Sequence, residues 1–238
     1  MDLFLIRHGE STNNALSDQN QRVYDPDLTD LGHVQARALA SHLAAGGHQQ
    51  PAEPCVPSVH RLYCSAMLRT LQTTRPVAEA LSIQPEIWVD LHEVGGLFLD
   101  KPDGTVEAFG GTTREQLAER FPGYNVPPAI SDDGWWGAER GKESPAAARG
   151  RAIAVTDKLR RFAADLPDGE RVAIVTHGDF MNSVVLALLD RLPSWGLYYE
   201  HLNTAITRIH LSGDGSIRIR YLNRAGHLGD LTVLPSSA

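Results

Sequence analysis

Two short segments of this chain carry residue types from which a reaction centre can be built. Ile6-Arg7-His8-Gly9 and Val175-Thr176-His177-Gly178 each end an apolar run in an imidazole, and a glycine then lets the chain turn. A neutral imidazole is a good nucleophile near pH 7, and a guanidinium beside it can grip phosphoryl oxygens. If the two runs are parallel neighbours, both imidazoles reach one crevice at their carboxyl ends, where open α/β sheets bind ligands. Arg69, at the start of another strand-to-helix connection, and Glu93, after a third strand, would join them. Arg7 and Arg69 would neutralise phosphate oxygens, and His177, once protonated, would add a donor. Attack by an imidazole on phosphorus gives a phosphohistidine, which splits one difficult transfer into two easier steps. Glu93 would protonate the departing alkoxide and then take a proton from water. That role needs a raised pKa, which nearby arginines oppose and burial would have to restore. Glu10 and Asp179 are the competing carboxylates.

The elements that must position these groups alternate along the chain. Leu3 to Ile6 is too short for a helix and reads as a buried parallel strand. Beyond a polar loop over 13–27, Thr29 reads as an N-cap. Leu31, Val34, Ala38, Leu39 and Leu43 then repeat at helical spacing up to Gly46-Gly47. A Pro/Gly/Gln loop over 46–57 precedes a second strand over 60–65. That strand runs into a helix over 67–74, which Pro76 should end or kink. Ile87, Val89 and Leu91 alternate as a third strand before His92-Glu93-Val94-Gly95-Gly96. From 97 to about 142 the pattern is least regular. Thr112 and Glu115 have capping-box spacing before a short helix around Leu117 and Phe121, and Trp135-Trp136 suits either packing or a lid. Ser144-Pro145 opens a long helix whose Ala152, Val155, Leu159, Phe162, Ala163 and Leu166 line one face. A strand over 171–176, a helix over 180–189 and an antiparallel hairpin through Gly213-Asp214-Gly215 complete the chain. The alternation predicts one α/β domain over 1–238, a three-layer sandwich. Its mostly parallel central sheet carries helices on both faces and an antiparallel edge strand, with 97–142 as an insertion.

Composition narrows the function. The 238 residues are 42% hydrophobic and 21% charged, ordinary for a globular protein long enough to bury a real core. The net charge of −7 implies no basic face for nucleic acid or anionic lipid, so an anionic substrate must be drawn by a local arginine cluster. Cys55 and Cys64 form neither a CxxC pair nor a metal-ligand spacing, and read as two free thiols in a reducing compartment. No HExxH, Asp-rich loop or clustered histidine spacing predicts a metal, and no cofactor is expected. With no leader-like segment at the start and no apolar run approaching a membrane span, the expected location is the cytoplasm.

The ordered motifs resemble the histidine phosphatase superfamily, in its phosphoglycerate-mutase-like branch. Arg7-His8-Gly9-Glu10 is similar to that family's signature. The resemblance continues in Ser11 and Asn14, in Leu28-Thr29-Asp30-Leu31-Gly32, and in Ser65-Ala66-Met67-Leu68-Arg69-Thr70-Leu71-Gln72-Thr73. It extends through Glu93, Glu143-Ser144, Thr176-His177-Gly178 and Asn203-Thr204, and so covers most of the chain. The resemblance, not the residues alone, implies that His8 is the phosphorylated histidine. It also implies Arg7, Arg69 and His177 as the phosphate pocket, Glu93 as the proton donor and Asn14 as a further phosphate contact. Thr70 stands where the family has a smaller residue. Val94-Gly95-Gly96-Leu97-Phe98 stands where glycolytic mutases carry a glutamate-arginine pair and a Tyr-Gly. The expected activity is therefore hydrolysis of a small-molecule phosphate monoester. The alternatives are a phosphoglycerate-type mutase and a non-catalytic phospho-ligand-binding protein.

Overall fold

The computed structural model describes residues 1–49, 59–192 and 196–231. Cys55 and most of the loop predicted over 46–57 lie outside the described residues. Strand β1 (Asp2–Arg7) owes its place to four consecutive apolar side chains, Leu3 to Ile6, all at most 1% exposed. Such a run suits a strand covered on both faces, each fully buried side chain contributing roughly 1.5–3 kcal/mol. Alternation sends Phe4 and Ile6 into one apolar layer and Leu3 and Leu5 into the other.

The remaining strands of the main sheet are β2 (Arg61–Cys64), β3 (Glu86–Ile87), β6 (Arg171–Thr176), β7 (Ile206–Leu211) and β8 (Ile217–Arg224). They lie in the order β3-β2-β6-β1-β7-β8. Four strands are parallel, and β7 and β8 run antiparallel at one side. Helices α1 (Asp30–Ala44) and α2 (Leu68–Leu81) share the Phe4/Ile6 layer. Helices α4 (Pro145–Asp165) and α5 (Gly178–Leu188) share the Leu3/Leu5 layer. Between β3 and α4 lie a two-stranded ribbon, β4 (Phe98–Asp100) with β5 (Val106–Ala108), and the short helix α3 (Arg114–Arg120).

This wiring makes the crevice. From β1 the chain leaves for α1 on one face, and from its neighbour β6 it leaves for α5 on the other. Two adjacent strand ends whose connections diverge to opposite faces leave a gap between them, the switch point at which such sheets bind ligands.

Four local expectations are corrected. Helix α1 buries Gly32, Gln35, Ala36, Leu39, Ala40 and Leu43, so its inner face is rotated away from Leu31, Val34 and Ala38. Gln35 is inside because its amide is used at both ends, accepting from Glu10 N at 2.8 Å and donating to Leu231 O at 3.0 Å. Helix α2 continues through Pro76 to Leu81, past the end expected at 74. Pro76 and Gln72, whose carbonyl loses its helical donor, both lie on a partly solvated side. The third strand stops at Ile87. Val89–Leu91 is a 3-10 turn held by Leu91 N on Trp88 O and His92 N on Val89 O, so its alternation reflects no ladder. The capping box is built by Thr113 and Gln116, one residue beyond Thr112 and Glu115.

Candidate active site

The register of the central pair puts Arg7 opposite Thr176, so the next residue on each strand is a histidine. His8 N donates to Thr176 O at 2.9 Å and continues the ladder by one step. His177 is the residue at which β6 turns into α5, capping that helix. The two rings lie 5.2 Å apart between centroids and tilt by 59°, and both are buried.

Each ring is oriented by a different partner. His8 Nδ1 lies 2.6 Å from the Gly9 carbonyl, which can only accept, so the proton sits on Nδ1 and Nε2 is bare. Into that lone pair Arg69 Nε donates at 3.1 Å. His177 Nε2 lies 2.7 Å from Ser65 Oγ, and its Nδ1 is buried without a partner. Burial, with the Arg69 and Arg7 charges, holds His8 well below the usual imidazole pKa. Burial and Arg69 do the same to His177. Both rings are therefore neutral near pH 7.

The cations come from separate elements. Arg69 is the second residue of α2, buried to 8% exposure, with Nη1 3.8 Å from the Asp25 carboxylate. Arg7 anchors Nη1 on His201 O at 2.6 Å, while its Nε is buried without a partner, facing the first turn of α5 at Gly178. The start of α5 adds the positive end of its dipole.

Glu93 Oε1 accepts from Val94 N at 2.9 Å and from Phe180 N at 3.0 Å, so this carboxyl ties its own turn to the first turn of α5. Burial and the neighbouring Asp179 push its pKa up to about 7 against the pull of Arg69. The other two carboxylates are engaged elsewhere: Glu10 accepts from Thr29 Oγ1 at 2.7 Å, and Asp179 from Tyr198 Oη at 2.8 Å. Asn14 stands apart. It is exposed, its Oδ1 accepts from Ser11 N and Oγ at 3.2 and 3.0 Å, and no hydrogen bond joins it to the histidine pair.

Three contributors have no place in the residue pattern considered above. Asp25 Oδ1 accepts from Leu68 N at 3.1 Å at the start of α2, and burial pushes its carboxyl up to about 7 despite Arg69. An aspartate inside a polar loop gives no signal that it folds inward. Arg151 of α4 forks onto Glu143 at 2.9 and 2.6 Å and donates to Asp90 O and His92 O at 2.7 and 2.8 Å, bracing the turn that ends in Glu93. Tyr198 reaches Asp179 from the connection before β7. The two tryptophans are packed: Trp135 and Trp136 are 3% and 4% exposed and surround His92, next to Glu93. Gly96, at φ 75°, lies under Trp136, which leaves a Cβ no room. Among the described residues, no group of three or more His, Cys, Asp or Glu could hold a metal ion, and no helix is long and apolar enough to cross a membrane.

Comparison with known proteins shows what the whole chain is similar to. A Hydrogenobacter thermophilus protein, putative phosphoserine phosphatase 2, is 25% identical over 97% of this chain and 98% of its own length. The 2,3-bisphosphoglycerate-dependent phosphoglycerate mutase of Rhizobium etli is 26% identical over 97% of each chain. A stretch covering 41% of this chain is 35% identical to 15% of the Mycobacterium tuberculosis PE-PGRS family protein PE_PGRS11. Among solved structures, a phosphoserine phosphatase mutant from Entamoeba histolytica superposes with a TM-score of 0.60 at 21% identity, over 95% of this chain and 98% of that one. The description of the histidine phosphatase superfamily (branch 1) matches residues 3–224, and the chain belongs to that family.

Proposed function

We propose that this protein is a metal-independent phosphatase that hydrolyses a small-molecule phosphate monoester through a phosphohistidine on His8. The state of the His8 ring carries the reading: Nδ1–H is committed to a carbonyl at 2.6 Å, which leaves Nε2 bare against a guanidinium at 3.1 Å. A fixed tautomer with an unprotonated Nε2 in a cationic cup is what an imidazole nucleophile needs. Arg69 would turn from Nε2 onto the phosphoryl oxygens as substrate enters, with Arg7 and His177 holding the others. Nε2 then attacks phosphorus as the ester oxygen departs with the Glu93 proton. Water, deprotonated by Glu93, next displaces phosphate from His8 and regenerates the free ring. A Glu93 carboxyl pushed up to about 7 can work in both directions near neutral pH.

Simple hydrolysis is favoured over mutase chemistry because Val94 to Phe98 lacks the mutase glutamate-arginine pair. The alcohol would be read by the segment over 97–142, whose Phe109 stacks on Tyr24 at 3.9 Å, one residue from Asp25. Buried, unpaired Cys64 suits a reducing compartment, and we read the protein as cytoplasmic, without nucleic-acid or membrane partners.

The test is phosphate release from an aryl phosphate in excess chelator, without a bisphosphorylated primer. Wild type should turn over, and His8→Ala should lose roughly a thousandfold or more. Full turnover by His8→Ala, or activity that returns only with a divalent ion, would overturn the reading.

A further inference from the structure

Beneath the histidine pair, three contacts run in series. His177 Nε2 lies 2.7 Å from Ser65 Oγ, Ser65 Oγ 2.9 Å from Thr70 Oγ1, and Thr70 Oγ1 2.7 Å from the Met67 carbonyl oxygen. Ser65, Thr70 and His177 are fully buried, so none of these contacts exchanges with bulk water. A neutral imidazole and two hydroxyls supply one proton per contact. A carbonyl cannot donate, so Thr70 gives its proton to Met67 O, with the Ser65 carbonyl at 3.0 Å as its other acceptor. Ser65 then gives its proton to Thr70, accepting in turn from Met67 N at 3.2 Å, and His177 gives the Nε2 proton to Ser65. Every other arrangement leaves two lone pairs facing each other at under 3 Å with no proton between them, which is costly in a buried site.

We propose that Thr70 is a positioning residue: acting through Ser65, it holds the His177 proton on Nε2 and leaves Nδ1 bare for the anion. Nδ1 is the ring atom that is buried without a partner. A bare nitrogen repels a phosphoryl oxygen, so the ring takes up a proton as the anion arrives and holds it as an imidazolium, with Nε2–H still on Ser65. The opposite tautomer would offer a neutral Nδ1–H and take up none. The charges that act most strongly on His177 come from Arg69 on α2, His8 after β1, His92 from the 3-10 turn and Arg151 on α4, and the carboxyls of Glu93 and Asp179 stand at the same end of α5. The added proton comes from solvent or with the anion. The anion-binding consequence rests on the phosphatase reading; the tautomer does not.

The ring nitrogens of His177 are to be read by 15N NMR in the unliganded protein. Wild type should show Nε2 protonated and Nδ1 bare. Thr70→Val keeps the shape and removes the hydroxyl. The Ser65 proton then has only Nε2 to go to, and the ring should switch to Nδ1–H, while Thr70→Ser should restore the wild-type pattern. Sulfate, a tetrahedral dianion that does not titrate near neutrality, then counts protons by calorimetry in buffers of different ionisation heat. The count is made at about pH 6, where Asp25 and Glu93, both pushed up to about 7, already hold most of theirs. Wild type and Thr70→Ser should take up about one proton more than Thr70→Val. Protonated Nδ1 in the wild type, or one tautomer shared by wild type and Thr70→Val, would overturn the proposal. Sulfate failing to bind while the ring pattern holds would support the Thr70 assignment and contradict the phosphatase reading.

Discussion

Opposed influences meet on the two buried carboxyls beside Arg69. At Glu93, burial and Asp179 outweigh the guanidinium and leave the pKa at about 7, so the acid form fades as pH rises through that value. Turnover limited by leaving-group protonation should fall over the same range. Glu93→Gln should lower turnover of an alkyl phosphate by roughly 10²–10⁴-fold, and of an aryl phosphate with a good leaving group far less. Equal losses on both would assign the proton to another group. Asp25 also lies at about 7, against 3.8 for an ordinary aspartate. Between those values the folded chain holds a proton that the unfolded chain does not, so this residue makes stability fall as pH rises through the window. Relative to Asp25→Asn, wild type should lose Tm from about pH 4 to about pH 7, and parallel curves would contradict that. The residue types and strand-end places of Arg7, His8, Arg69, Glu93 and His177 are legible in the sequence because each adjoins a turn after an apolar run or opens a helix. Asp25 is not, because its partner is 44 residues away and its own loop is polar.

At the scale of elements, the site depends on how closely the end of β1 meets the start of α1. A Cβ on Gly32 would sit 2.1 Å from Glu10 O, and one on Gly9 would sit 2.6 Å from Gly32 O. Both obstacles are backbone, so neither can swing aside. Around this contact, Thr73 Oγ1 accepts from Gly9 N at 3.0 Å and Gln72 Oε1 from Leu28 N at 2.8 Å, so α2 ties down both segments. Gly32→Ala should therefore cost at least about 1–3 kcal/mol in denaturant unfolding and lower turnover as well, since His8 lies two residues before the displaced Glu10 backbone. An Ala variant with wild-type stability and activity would show that the approach is not needed. Helix starts at Thr29 and Ser144-Pro145 are legible because capping is local chemistry. The passage of α2 through Pro76 and the end of β3 at Ile87 are not, because solvent access and strand pairing decide them.

Over the whole molecule, a parallel core with connections diverging from β1 and β6 brings residues 169 apart in sequence into one buried cup. The layered α/β architecture is legible from alternating strand and helix periods. The strand order is not, since it is set by which apolar faces cover which. That arrangement holds an imidazole in a fixed tautomer, with cations around it and a buried carboxyl whose pKa is pushed up to about 7. The claim that unites them is a covalent phosphoryl group on the His8 ring. The most direct measurement mixes enzyme with an aryl phosphate, quenches in alkali, where phosphohistidine survives, and locates the phosphoryl group by peptide mass. The label should lie on the peptide containing His8, vanish in acid and be absent from His8→Ala. Full turnover with no covalent label, or a label on another residue, would contradict the account.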